Sequence, residues 1–533
     1  MIPFDASGAF HPVAEHGELR HLAIRGAAAT VSAQWVGLAI QIVGTILLAR
    51  LLTPADFGIV SMVTTFSLLL MSFGSSGFAE AVIQPAEMNR FQASNLFWIV
   101  SAIGLVLTIG FAAAGSLLGR FYRNPLVANV TAAVSVAIFI GAASTIHLAL
   151  LKRAMRFGAV SANDLVGRTV YTGTGILLAL RGWGYWALVA GIVAQGLMTT
   201  MLAWWQCKWI PSWPRRGVGT RSMVVFAAKV YGRFSANYFS RNFDNLLVGW
   251  QFNAAALGFY KRAYDLVALS ASQLTGPLHN VALSALSRLN HDPARFRRYL
   301  VNSLGIIAFV GMAVGADLTL VGKDLVRLVL GPKWSESGRI FELFGPGIGV
   351  MLLYSTVGWI HLSIGKPGRW LRWTLVELAV TASLFLVALS WGPAGIAVAW
   401  SVSYWILLIP AFWYAGRPIG FGVSSLIAAL WRYVIAALLA GLTCAAMMQG
   451  MLTFTVARST AEALELIVAK SLLFAFLYLG AVILLHQGCD PLFRVVELLR
   501  DVVYGGRLTR RSPTLAATRG ADASGAPAPA SEG

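Results

Sequence analysis

Charge is what this 533-residue chain has least of. Asp, Glu, Lys and Arg together make up 12% of it. A soluble domain carries about a quarter charged residues, so an ordinary water-soluble fold is excluded. Cysteine is also scarce. Cys207, Cys444 and Cys489 form no disulfide framework. The eight histidines show no ligand spacing, and HExxH, P-loop and GxSxG patterns are absent. No paired carboxylates mark a hydrolytic site. The chain is therefore not expected to hold catalytic groups, a metal or a cofactor. The first 27 residues contain Asp5, Glu15 and Glu18 and no apolar core, so they are not a cleavable signal peptide. They read as a cytoplasmic N-terminal segment. The net charge of +19 is spread over short loops, which is not the clustered footprint of a nucleic-acid binder.

What is present is apolar sequence, 57% of the chain. Runs of about 20 residues suit transmembrane helices, because backbone polar groups in lipid must be satisfied within the segment. Fourteen spans are expected, at 28–50, 56–81, 93–118, 125–149, 161–181, 183–206, 223–251, 255–286, 299–321, 339–364, 369–390, 393–416, 426–449 and 463–487. The fifth, seventh and eighth are the least apolar and read as cavity-lining. Lys and Arg are denser in the connections on the N-terminal side, such as 152–156, 208–221 and 288–298, than in the others. That bias places both termini in the cytoplasm. Lys323, Arg327, Lys333 and Arg339 run against it.

The chain also looks duplicated. Ile46–Gly58 (ILLARLLTPADFG) aligns without gaps with Leu246–Gly258 (LLVGWQFNAAALG), with Leu47/Leu247, Ala55/Ala255 and Gly58/Gly258 identical. Six spans separate the copies, so the repeats are parallel, and parallel repeats imply two lobes about an axis along the membrane normal. The expected organisation is a first lobe at 28–206, a linker at 207–222, a second lobe at 223–416 and two extra spans within 426–487. The expected fold is thus all-α, with two six-helix repeats around a central cavity. From 488, an amphipathic helix at Pro491–Tyr504 and an Ala/Ser/Pro/Gly-rich disordered tail follow. GPGIG (Gly345–Gly349) reads as close helix packing or a kink.

The chemistry concentrates in the seventh span. Lys229, Arg233, Asn237, Arg241 and Asn245 fall four residues apart, which stacks neighbours on one helical face as a ladder drifting about 40° per step. Charges at membrane depth normally face a bundle interior or a water-filled path. Arg offers a bidentate fork for phosphate or carboxylate. Arg233, Arg241 and Lys229 are therefore candidate anion ligands, with Arg168 of the fifth span as a further cation. Asn237, Asn245, Asp244, Gln34 and Gln41 are candidate polar lining. The alternatives stay open: Lys229 snorkelling to the interface, Arg241 paired with Asp244 or Asp265, Arg168 paired with Asp164, and Gln34 and Gln41 as interhelical glue. Asp317, His361 and Glu377 are scattered, with structural roles expected, and the aromatic-rich stretches read mostly as lipid-interface belts.

Leu47–Val63 (LLARLLTPADFGIVSMV) and Ser240–Leu289 (SRNFDNLLVGWQFNAAALGFYKRAYDLVALSASQLTGPLHNVALSALSRL) resemble the Wzx-like polysaccharide exporters, the polysaccharide transporter family of the MOP flippase superfamily. The second segment is most similar to the colanic-acid and lipopolysaccharide-exporter branch. With the fourteen spans, the resemblance covers about residues 22–490. It implies an inner-membrane flippase that moves undecaprenyl-diphosphate-linked oligosaccharide between leaflets by alternating access of two lobes, in O-antigen or exopolysaccharide synthesis. The partners it implies are the lipid-linked substrate, membrane lipids, and polysaccharide polymerase and chain-length proteins. The family pattern often has a basic residue where this chain has Trp250, so no functional cation is assigned there. The runner-up is a cation-coupled, MATE-like exporter, which predicts an acidic pocket in the first lobe. A membrane polymerase or ligase is the third reading. It needs a large periplasmic loop, and the longest outside connection here is 322–338.

Overall fold

Helices account for almost all of the chain that the computed structural model describes, namely residues 3–5, 7–10, 16–85, 87–451, 460–490 and 492–493. The first half holds α1 (His16–Leu51), α2 (Pro54–Phe73), α3 (Ala79–Ile83), α4 (Arg90–Ala113), α5 (Gly115–Phe121), α6 (Leu126–Arg153), α7 (Phe157–Leu180) and α8 (Tyr185–Cys207). The second holds α9 (Thr220–Gln251), α10 (Ala254–Arg288), α11 (Pro293–Leu330), α12 (Ser335–Ser355), α13 (Val357–Ser363), α14 (Pro367–Ala388) and α15 (Gly392–Gly416). Then come α16 (Val423–Met451) and α17 (Thr460–His486). The amphipathic helix expected at Pro491–Tyr504 and the tail lie outside the described residues.

Local chemistry explains where the helices begin. Thr53 and Asp56 form a reciprocal capping box at α2, with Pro54 in the first turn. Asn89 and Gln92 do the same at α4, and Asp292 caps α11 ahead of Pro293. Three rods are interrupted. A π-type turn at Gly74–Phe78 joins α2 to α3, Ala114 separates α4 from α5, and Thr356 separates α12 from α13. With each interrupted pair taken as one rod, every expected span has its helix. Several helices run past the expected ends: α1 starts at His16 and α11 has 38 residues. At 1.5 Å per residue α11 is about 57 Å long, well beyond a hydrocarbon core of about 30 Å.

Among the described residues, ten stretches are long and apolar enough to cross a membrane, one of them taking in both α14 and α15. The chain is a multi-pass membrane protein. The rods outside that set are α7, α9 and α10, the fifth, seventh and eighth.

The same helix pairs pack in each half. The second rod lies on the fourth, the third on the fourth, the fourth on the sixth and the fifth on the sixth. In the first half these are α2–α6, α4–α6, α6–α8 and α7–α8; in the second, α10–α12, α11–α12, α12–α15 and α14–α15. The GPGIG glycines serve this packing. Gly345 and Gly349 press on Gly315 and Gly311 of α11, and Gly347 presses on Ser401 of α15. One pair differs. α1 lies along α7, but its counterpart α9 hardly touches α14 and leans instead on α2 and the π-type turn of the other half.

The halves also meet where α2 and α10 cross. Gly58 lies against the Ala254 carbonyl and Gly258 against the Pro54 carbonyl. Each glycine and each carbonyl residue is aligned with the other in the duplicated segments, so the crossing is reciprocal. Beside it, Trp334 donates from Nε1 to the Ala49 carbonyl at 2.8 Å, and Arg50 donates from Nη2 to the Leu328 carbonyl at 2.8 Å.

At the opposite end, the segment between α8 and α9 is bolted to α4. Asn95 accepts from the Arg215 N–H at 2.9 Å and donates to the Arg215 carbonyl at 2.7 Å and to Thr220 Oγ1 at 3.1 Å. Trp213 stacks on Trp98, and Trp209 is buried against Phe4 and His147. Residues 3–5 and 7–10 add to this end, with the Gly8 carbonyl accepting from the Arg90 N–H at 2.7 Å.

Candidate functional site

The ladder helix α9 follows Gly217 and Gly219, both at left-handed φ (78° and 77°), where glycine turns the chain without a steric cost. It ends at Phe252, whose extended backbone leads to Asn253, the cap of α10. What aims its face is a pair of tyrosines seven residues apart, and so on one side of the helix. Tyr231 donates to the Leu69 carbonyl at 3.0 Å and Tyr238 to the Thr65 carbonyl at 2.9 Å, both on α2. Tyr231 also packs edge-on against Phe73, 4.9 Å between ring centroids. Met223 and Ala227 are buried at the linker end.

Each of Lys229 and Arg233 is two residues from Tyr231, about 200° round the helix. With the tyrosines held on α2, Lys229 and Arg233 point away from it, whereas Arg241, three residues after Tyr238, lies only about 60° round the helix from that tyrosine. Lys229, Arg233, Asn237 and Arg241 are all exposed. The three cations span twelve residues, about 18 Å. Among the described residues none of the three takes part in an ion pair.

The fifth rung differs. Asn245 is fully buried, with Nδ2 3.4 Å from Asn242 Oδ1. Asp244 is buried too. It accepts from the Tyr260 hydroxyl at 2.8 Å through Oδ2 and from the Asn245 N–H at 2.8 Å through Oδ1. It is not the partner of Arg241. Asp265 bonds to Lys261 and lies 3.7 Å from Arg262. Arg262 in turn stacks over Phe57 of the first half.

Arg168 is not free. Its Nε meets Asp164 at 2.9 Å, and its Nη1 donates to Gln41 Oε1 at 3.0 Å. Gln41 and Arg168 therefore join α1 to α7. Gln34 is exposed on α1.

A family model described as "Polysaccharide biosynthesis protein" matches residues 47–339, more than half of the chain. The chain belongs to this polysaccharide biosynthesis family. The match runs from the end of α1 to the start of α12, so it contains both the α2–α10 crossing and the ladder. The lipopolysaccharide biosynthesis protein WzxC of Escherichia coli K12 is 21% identical over 66% of this chain and 69% of that protein. The teichuronic acid biosynthesis protein TuaB of Bacillus subtilis 168 is 22% identical over 68% and 75%. The fold is like that of the lipid II flippase MurJ in an inward closed conformation, with TM-score 0.68, 13% identity, and coverage of 87% of this chain and 99% of that one. An inward-facing multidrug resistance MATE transporter follows at TM-score 0.55 and 12% identity, over 72% and 94%.

In this family member a second polar group, which residue spacing does not reveal, gathers where α12, α14 and α15 meet. Tyr264 and Tyr404 are within electrostatic reach of Arg241, as is Glu377. Glu377 faces the Tyr354 hydroxyl, which accepts from Trp373 Nε1 at 2.7 Å. Tyr264, Phe344, Trp400 and Tyr404 pack edge to face around it. These aromatics of the second half line an interior and are not an interfacial belt. The signal in the sequence is tyrosine inside the spans, since a buried hydroxyl needs a partner.

Proposed function

We propose that this chain is a flippase that translocates undecaprenyl-diphosphate-linked oligosaccharide across the bacterial inner membrane by alternating access. Two lobes, 28–206 and 223–416, rock about the linker at 207–222, with 426–487 as two added spans. Both termini lie in the cytoplasm. The carrying observation is the unpaired cationic face of α9. Membrane-depth cations that are in no ion pair call for an anion from elsewhere, and a lipid diphosphate supplies one. Lys229 and Arg233, nearer the linker, meet it first and Arg241 later. Asn237 offers hydrogen bonds along the way. Asn245 and Asp244 support the ladder's far end from within the protein, and Arg168, Gln41 and Gln34 form a polar stripe on α1 and α7 for the sugar. Polymerase and chain-length proteins act on the product. The names of WzxC and TuaB and the fold likeness to MurJ support this reading.

The cation-exporter alternative needs free carboxylates in the first half. Two of the acids there are already engaged: Asp56 accepts from the Thr53 N–H at 2.9 Å and Asp164 pairs with Arg168.

The test replaces Arg233 and Arg241 separately by Ala in a host lacking its own flippase and measures surface polysaccharide at matched protein levels. Each substitution is expected to cut export at least about tenfold, the scale of one lost charged hydrogen bond. Full export by both variants sinks the proposal.

A further inference from the structure

A cavity of about 440 Å³ lies away from the ladder, where α11, α16 and α17 meet at the linker end of the bundle. Its walls follow helical stripes. Ser425, Ala428, Ala429 and Arg432 recur at i, i+3, i+4 and i+7 on α16, and Asn302, Ile306 and Phe309 face them from α11. Gly305 borders open space, with nothing within 4 Å of where its Cβ would be. Neighbouring α16 residues Ile427, Trp431, Ile435 and Leu438 are exposed apolar side chains, so the cavity adjoins a lipid-facing surface.

Two opposite charges line it. Arg432 sits nine residues into α16, about 13 Å from the helix start. Its Nε is shielded from solvent and has no hydrogen-bond acceptor. Asp490, just past the end of α17, is exposed. Among the described residues neither belongs to any ion pair, with the other or with a third group. A shielded guanidinium nitrogen without an acceptor asks for an anion. A nearby carboxylate disfavours a purely anionic ligand and favours one that also carries a cation. Apolar walls beside the lipid surface ask for a ligand with an acyl chain.

We propose that this cavity binds a membrane phospholipid whose headgroup carries a phosphodiester and a primary ammonium. Arg432 holds the phosphate, Asp490 the ammonium, and the first acyl carbons lie along Ile306 and Phe309. The site is separate from the α9 ladder and does not depend on what is transported.

Native mass spectrometry of the full-length purified chain tests it, with phosphatidylethanolamine, phosphatidylcholine and phosphatidylglycerol of identical acyl chains titrated in turn. Wild type is expected to bind phosphatidylethanolamine about tenfold more tightly than the other two, the scale of one charge-assisted hydrogen bond. Arg432→Gln weakens all three by about tenfold on the same ground. Asp490→Asn, at an exposed position where folding is not at stake, weakens phosphatidylethanolamine most and brings it to the phosphatidylcholine level of the same variant. The proposal is overturned by phosphatidylglycerol binding as tightly as phosphatidylethanolamine, by Arg432→Gln without effect, or by a preference that survives Asp490→Asn. Displacement of bound phosphatidylethanolamine by stoichiometric undecaprenyl diphosphate overturns it as well, because the cavity would then belong to the transport path.

Discussion

Gly258 rests on the backbone of Gly58: a Cβ on Gly258 would lie 1.9 Å from the Pro54 carbonyl oxygen and 3.2 Å from the Gly58 nitrogen. A Cβ on Gly58 would lie 1.6 Å from the Ala254 carbonyl oxygen. The obstructing atom is backbone in each case, so no rotamer change relieves the clash. These two glycines are equivalent positions of the duplicated segments.

Alanine at either position should therefore separate α2 from α10. Gly58→Ala and Gly258→Ala are each expected to destabilise by about 1–3 kcal/mol or more, as overpacking does. Gly173→Ala is the control of opposite sign. Its Cβ would meet nothing within 4 Å, and removing a mid-helix glycine gains about 0.5–1 kcal/mol. Thermal melting in detergent reads all three. Equal melting temperatures would contradict the crossing.

Tyr260 and Asp244 should behave as one unit. Tyr260→Phe takes a donor from a buried carboxylate and should cost about 1–3 kcal/mol. In an Asp244→Ala background the same change should cost much less, a coupling of at least about 0.5 kcal/mol. Additive losses across the double-mutant cycle would show that the hydrogen bond is not the link.

Asn95 should control access to the connection before α9. Asn95→Ala removes three hydrogen bonds, to Arg215 N–H, Arg215 carbonyl and Thr220. Arg215 and Arg216 are exposed, so trypsin is the probe. Cleavage there is expected to speed up about tenfold, as local opening becomes easier by about 1–2 kcal/mol. An unchanged cleavage rate would argue that the tryptophans alone hold the segment.

Arg50 should strengthen the contact between halves through the last turn of α11. Its guanidinium meets the Leu328 and Val329 carbonyls at 2.8 and 3.4 Å, at the negative end of that helix. Arg50→Ala is expected to cost about 0.5–1 kcal/mol, and Arg50→Lys less, because the charge is kept. Melting temperatures of the two variants check the order.

The helical rods are legible in residue order because their causes are local. Apolar length sets the rods, and caps such as Thr53, Asn89 and Asp292 set their starts. The low hydropathy of the fifth, seventh and eighth spans is local as well. The interruption at Ser76 and Gly77 lies in GSSGF, whose glycines weaken the helix without fixing where it breaks, and the one at Thr356 carries no breaker of its own. The bend at Ser76 coincides with the place where α9 leans on the π-type turn.

The site divides the same way. The four-residue spacing keeps neighbouring rungs within about 40° of each other, and the drift sums to about 120° at Arg241 and about 160° at Asn245, which turns the fifth rung away from the first. It does not say that Asp244 bonds to Tyr260 rather than Arg241, or that Arg168 is held by Asp164 and Gln41. Trp373 and Glu377 are four apart on α14, but Tyr354 and Tyr404 come from α12 and α15, and no spacing within one helix joins all four.

Sequence by itself determined that this chain is a multi-pass helical membrane protein with two alignable segments, Ile46–Gly58 and Leu246–Gly258, and a run of cations on its seventh span. Composition and periodicity act within one helix, and each helix satisfies its own backbone. Only the tertiary structure decided which way that helix faces. Its rotation is set by Tyr231 and Tyr238 bonding to carbonyls on α2, more than 160 residues away. A bare periodic pattern leaves that rotation open, and contact with a second helix fixes it.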